Sequence, residues 1–288
     1  MLVRQYSKPL AGVVVATALF AGSSVASAAT IAHWEFSEGS GQTAASVGDP
    51  GSLYKMTLGA SGSTASDPIW TIGRAGAGGA LKFVNEKTNS EGDRDFLINH
   101  TGVVPTSNVN GLQLTNFTVE AWINLSSLSS GFSNEDPYTI MHLTGKSGAT
   151  SRTNFALRAN GNKLEGFYSD TGGTTRVITH TLADLKADEW MHVAFGRDST
   201  TNQSKLWING IERVSTETND PISGLSDLKF AIGADITSSG ARRRSFDGLI
   251  DDVRISDQLL TTGELLIPEP ASLGLLGLSM LMLPRRRK

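Results

Sequence analysis

The stretch Phe117-Thr118-Val119-Glu120-Ala121-Trp122-Ile123-Asn124-Leu125 places an apolar residue at every odd position and Thr, Glu, Trp or Asn at the even ones. A period of two is the signature of a strand with one face toward a core, whereas a helix returns its apolar stripe every three or four residues. Met191, Val193 and Phe195 repeat the pattern against His192 and Ala194. Asn110-Gly111, Asn160-Gly161 and Asn209-Gly210 mark turns, because tight hairpins need the positive φ that Asn and Gly tolerate. The clearest hairpins pair 205–208 with 211–215 and 155–158 with 164–168. A helical turn or two is expected only near 262–266 or 182–186. Short strands separated by Gly, Asn, Asp and Ser predict an all-β, two-sheet antiparallel β-sandwich of the jelly-roll kind. No linker or repeat divides 29–260, so one domain is expected.

Composition narrows the function. There is no Cys among the 288 residues, which excludes a disulfide scaffold, a thiolate metal site and a Cys nucleophile. The net charge of −3 hides an asymmetry. Six of the 25 basic residues and one of the 28 acidic ones lie in the two ends, so residues 29–267 hold 19 basic against 27 acidic, a net of −8. A body that acidic is a poor binder of nucleic acid.

The ends read as addresses. Arg4 and Lys8 precede the apolar run 10–20 and the small residues Ala26-Ser27-Ala28, the order of a secretory signal cleaved after residue 28 by signal peptidase. At the other end Pro268-Glu269-Pro270 precedes the uncharged stretch 271–283 and the basic terminus Arg285-Arg286-Arg287-Lys288. That order is similar to the PEP-CTERM sorting signal. The resemblance implies transient membrane insertion through 267–288, processing by an exosortase, and a mature protein at the cell surface or in the extracellular matrix of a Gram-negative bacterium.

A second resemblance covers 31–266. His33-Trp34-Glu35-Phe36-Ser37-Glu38-Gly39-Ser40-Gly41 resembles the opening of LamG-like, concanavalin A-like jelly rolls. Ala80–Phe83, Phe117–Ile123, Glu189–Ala194 and Lys205–Gly210 follow as its landmarks, and Phe246–Ile255 as its closing strand. The resemblance implies the fold. It leaves lectin-like, adhesive, catalytic and structural roles open.

Chemistry is sparse. The Glu-x-Asp-x-x-Glu run of the related glucanases does not occur, Glu91, Asp93 and Asp95 lie in a polar loop-like stretch, and the five His show no metal-binding spacing. A noncatalytic module that binds extracellular polysaccharide or a surface glycan is therefore expected. A structural or adhesive protein-binding role is the alternative, and a glycoside hydrolase the third. Trp122 and Trp207, each on the polar side of its strand, are candidates for stacking on a pyranose face, as are Tyr168 and Tyr138. The other reading of the two Trp is a shield over a second hydrophobic layer. Arg243, within Arg242-Arg243-Arg244, is a candidate for sulfate or carboxylate on an acidic polysaccharide. Asp251 alternates with Leu249, Val253 and Ile255, which places a carboxylate on the apolar face of the closing strand. Such a group must be hydrogen-bonded, paired or metal-bound. The resemblance implies a structural calcium between the first and last strands, with Asp49 as the second carboxylate. The run Ala45–Gly51 departs from the family's Asp-Ser-x-Gly-Asn there.

Overall fold

The computed structural model describes residues 28–48, 54–59, 67–74, 79–85, 97–98, 111–128, 137–181, 185–217 and 220–267. The expected signal at the N-terminus, Asp49 and the segment beginning with Pro268-Glu269-Pro270 lie outside them.

Among the described residues the fold is antiparallel and nearly all β, in two eight-stranded sheets. With strands numbered in chain order, sheet one runs β14 (Ile211–Glu217), β13 (Gln203–Ile208), β12 (Trp190–Asp198), β7 (Phe117–Leu125), β18 (Gly248–Ser256), β5 (Gly79–Phe83), β4 (Ile69–Ile72). The first strand, β1 (Thr30–Trp34), also pairs with β18, along Val253–Ser256, while β5 takes Gly248–Ile250. Sheet two runs β11 (Thr175–Thr181), β10 (Lys163–Ser169), β9 (Thr150–Asn160), β8 (Tyr138–Ser147), β15 (Ser226–Ile232), β6 (Leu97–Ile98), β3 (Met56–Leu58), β2 (Thr43–Ala44). A small hairpin, β16 (Asp235–Ile236) with β17 (Arg242–Arg243), stands beside β8.

Alternation builds the core between the sheets. The odd positions of β7, from Phe117 to Leu125, are all fully buried. Aromatic rings join the layers: Phe117 lies 5.3 Å from Phe155 and from Phe195, and Trp34 stacks on Phe230 at 5.6 Å. Burying a large apolar side chain of this kind contributes roughly 1.5–3 kcal/mol.

The hairpins fall where expected, with one difference. Asn209 (φ 49°) and Gly210 (φ 75°) are the two central residues between β13 and β14, as a type I′ turn requires. Between β9 and β10, Asn160 instead pairs with Lys163, so Gly161 (φ 60°) and Asn162 form the turn. The expected C-terminal helical turn is a single 3₁₀ turn, Thr262–Glu264.

Candidate functional site

The even residues of β7 and the partner residues of β12 are not left to solvent. Glu120 and His192 are completely buried, as are Thr118 and Ala194. The cause is the segment 257–267, which leaves β18 and returns across the outward face of sheet one. Thr118 Oγ1 donates to the Gln258 carbonyl at 2.7 Å and accepts the Leu260 N–H at 2.8 Å. Leu260 and Leu265 cover Trp207 and Ala194. Glu120 then closes the strap: one carboxylate oxygen accepts from the Leu266 N–H at 2.8 Å and contacts His192 Nε2 at 2.7 Å, and the other accepts from Arg254 Nε at 2.7 Å. Burial pushes the Glu120 carboxyl up, but His192, Arg254 and the Leu266 N–H outweigh it and hold it below the usual glutamate value.

That strap decides the fate of the two expected Trp residues, and the core between the sheets that of the two Tyr. Trp207 is 1% exposed, so it is part of a second hydrophobic layer and has no free face for a sugar. Trp122 donates its indole N–H to the Leu266 carbonyl at 2.8 Å, meets the His192 ring edge-to-face, and carries the Arg74 guanidinium 4.4 Å above its ring. Tyr168 is 2% exposed and faces inward beneath the buried Arg197, whose guanidinium lies 4.4 Å over the ring. Tyr138 is wholly buried. Stacking on a pyranose is therefore not open to Trp207, Tyr168 or Tyr138, and Trp122 has one face occupied.

Asp251 also departs from the expectation. A bulge between Asp251 and Arg254, with Asp252 at φ 48°, shifts the phase of β18. Ile250, Val253 and Ile255 face the core, while Asp251 pairs across the strand with Trp122 on the outward side. The Arg74 N–H approaches Asp251 at 3.3 Å, and Asp252 holds His33 at 3.3 Å and the Arg74 guanidinium at 3.0 Å. Burial, with the neighbouring Asp252 charge, pushes the Asp251 carboxyl up to about 6. The Arg74 guanidinium thus neutralises Asp252 and leaves Asp251 with only backbone donors, while Asp49, the other carboxylate expected at a calcium site, lies outside the described residues. No set of three or more His, Asp or Glu able to hold a metal occurs among the described residues.

Sheet two presents the opposite situation. Its outward side holds a cleft of about 480 Å³. His142, Ala156 and Phe167 form one row across β8, β9 and β10, and Arg158 and Glu165 face each other in the next. The β16–β17 hairpin makes one wall, and the turn at Gly173 with Arg152 the other. His142 bridges floor and wall: Nδ1 meets Asp235 at 2.7 Å, and Nε2 meets the Thr153 hydroxyl at 2.9 Å. The second Asp235 oxygen accepts from Arg244 at 2.7 Å and Arg243 at 3.4 Å. Burial pushes the Asp235 carboxyl up, yet His142, Arg243 and Arg244 together hold it far below the ordinary aspartate range. Arg158 lies 4.5 Å over the Phe167 ring and donates from Nε to Glu165 at 2.6 Å.

Of the residues expected from sequence, Arg243 and its cluster neighbour Arg244 line this cleft. His142, Arg152, Arg158, Phe167 and Asp235 were not anticipated. The signal for two of them was present: a two-residue turn after Asn160 sets Arg158 opposite Glu165 and leaves Phe167 on the polar side of β10. No local pattern indicates Asp235, which the β16–β17 hairpin delivers.

Comparison with known proteins fits this architecture. Residues 99–265 match the concanavalin A-like lectin/glucanases superfamily. Domain 4 of AbnA, a GH43 extracellular arabinanase from Geobacillus stearothermophilus solved in complex with arabinotriose, superposes with a TM-score of 0.54 at 19% identity, over 82% of this chain and 96% of that one. The botulinum neurotoxin serotype G binding domain gives 0.53 at 15% identity, over 82% of this chain and 49% of that one. The serotype D binding domain gives 0.51 at 12% identity, over 88% and 51%. The chain thus spans about half the length of the neurotoxin domains, and at these identities the likeness is one of fold. No curated protein sequence matches it.

Proposed function

Because the chain belongs to the concanavalin A-like lectin/glucanases superfamily, we propose that it is a noncatalytic module binding an extracellular polysaccharide or surface glycan, and that the cleft on sheet two is its site. The observation that carries this reading is the lining of that cleft. Hydroxyls of Ser151, Thr153 and Thr237 stand beside the guanidinium groups of Arg152, Arg243 and Arg244, a polar surface suited to sugar hydroxyls, in a volume within the ~300–1,000 Å³ usual for small-ligand sites. The domain of the arabinanase, solved with arabinotriose, supports a sugar as the class of ligand. Residues 1–28 direct export, and 267–288 sort the chain to the envelope or exopolymer layer.

The test is retention of the full-length chain on immobilised polysaccharides, compared with Ser151→Trp. Ser151 is exposed at the cleft, so the indole fills the opening without touching the core. Retention that vanishes in this variant supports the cleft. Equal retention moves the site elsewhere on the molecule.

One observation favours a second, hydrolytic reading. Asp235, His142 and Thr153 form a chain ordered as carboxylate, imidazole and hydroxyl, the arrangement that activates a nucleophile in acyl transfer. Against it, the Thr153 N–H is already occupied by Ser169 Oγ at 3.0 Å. Asp235 is the one carboxylate lining the cleft among the described residues, and glycoside hydrolysis needs two. Ester or reducing-sugar release that disappears in Thr153→Val would establish the hydrolytic reading; no release from the unaltered chain rejects it.

A further inference from the structure

Residues 29–267 carry a net charge of −8, yet the cleft gathers Arg152, Arg158, Arg243 and Arg244. Two carboxylates answer these four guanidiniums. Glu165 takes Arg158, and Asp235 is shared by Arg243, Arg244 and His142. The cleft is thus left with about two uncompensated positive charges on an otherwise acidic molecule. Concave surfaces concentrate such a field.

Each arginine is also held in place. Arg158 sits over Phe167, which covers that ring face and leaves recognition to the guanidinium instead of the aromatic ring. Asp235, itself almost fully buried, fixes Arg244 and Arg243 from behind, and the Arg243 side chain remains 48% exposed. Arg152 has no carboxylate partner among the described residues: Nη1 donates to the Ser151 carbonyl at 3.2 Å. Its guanidinium rests where a Cβ on Gly173 would come within 2.1 Å, and Gly173 has φ +85°. Glycine there admits the guanidinium, as well as a backbone conformation that L side chains rarely adopt.

We propose that the sheet-two cleft selects glycans bearing anionic oxygens, carboxylate or sulfate, over neutral ones. The proposal rests on the cleft being the sugar site and names the class of sugar. A planar guanidinium offers two parallel N–H donors to either anion, while sugar hydroxyls occupy the Thr and Ser positions between them. Nucleic acid shares the charge but not the setting, because the acidic body would face the rest of a long polyanion.

The experiment measures affinity of the full-length chain for dextran, polygalacturonate, dextran sulfate and duplex DNA, at low and high NaCl, for the unaltered chain and for Arg243→Gln and Arg152→Gln. The expected result is retention of polygalacturonate or dextran sulfate over dextran, weakened by salt, and a loss of about tenfold in each variant, as for a charge-assisted hydrogen bond. Which polymer is held better tells carboxylate from sulfate. Arg243→Gln leaves Asp235 paired with Arg244 and His142, so an unchanged unfolding midpoint separates lost recognition from lost structure. Dextran held as tightly as the charged polymers, or unchanged affinity in both variants, overturns the anionic preference and leaves sugar binding standing. Retention of none of the glycans overturns both readings, and preference for DNA replaces them with nucleic-acid binding.

Discussion

Sheet one's outward face is roofed by residues 257–267, which bury Glu120, His192 and Trp207, whereas sheet two's outward face is open as a cleft lined by His142, Arg158 and Phe167. Both faces begin from the same signal, an aromatic on the polar side of an alternating strand. The difference teaches that such an aromatic reports a second layer of contacts, not the partner that makes it. On sheet one the partner is the chain itself, 146 residues beyond Glu120. On sheet two the comparable ring, Phe167, carries the Arg158 guanidinium at the lining of the cleft.

The sharpest way to break the roofed face is Glu120→Gln. It leaves Arg254 and His192 facing a neutral amide in a fully buried site, and removing one member of a buried ion pair costs about 3–5 kcal/mol, read by denaturant unfolding at pH 7. The sign with pH follows from the lowered Glu120 value: its stabilisation is present above the ordinary 4.5 and lost as pH falls below it. The gap between the two proteins should accordingly narrow in acid. Trp207→Ala should cost a similar ~3–5 kcal/mol, as for a large buried aromatic, and leave glycan affinity unchanged once folded. A selective loss of glycan binding in that variant would put the site under the strap.

Asp251 lies between the two regimes, buried but poorly compensated. Its folded value of about 6 lies above the ordinary 3.8, so the folded state resists its ionisation. Asp251→Asn should stabilise the protein by up to about 3 kcal/mol above pH 6, and the gain should fade between pH 6 and 4. A calcium ion held there would reverse the sign, so thermal unfolding with added calcium and with chelator decides between them. On the open face, Arg243→Gln should shift stability by less than about 0.5 kcal/mol while weakening retention of an anionic glycan.

Much of the fold was legible because it rests on short-range patterns. The period-two run 117–125 became β7 with the expected boundaries, and Asn209-Gly210 set its hairpin. The site was less legible. The bulge at Asp252 inverts the phase of Asp251, and alternation counted along a strand cannot register an inserted residue. Trp207 and Trp122 sit on the polar side as read, but the strap that covers them is joined by pairings remote in sequence. Arg243 was identifiable as a basic cluster. Its partner Asp235 becomes a neighbour of His142 only when the β16–β17 hairpin stands against β8.

Hydrogen exchange of the full-length chain, with and without the polysaccharide it retains best, tests the contrast between the two faces most directly. The account predicts slowed exchange at 142–153, 167–175 and 235–244, with 118–122 and 258–266 unchanged. Protection confined to 118–122 and 258–266 would contradict it, and would return recognition to the roofed face of sheet one.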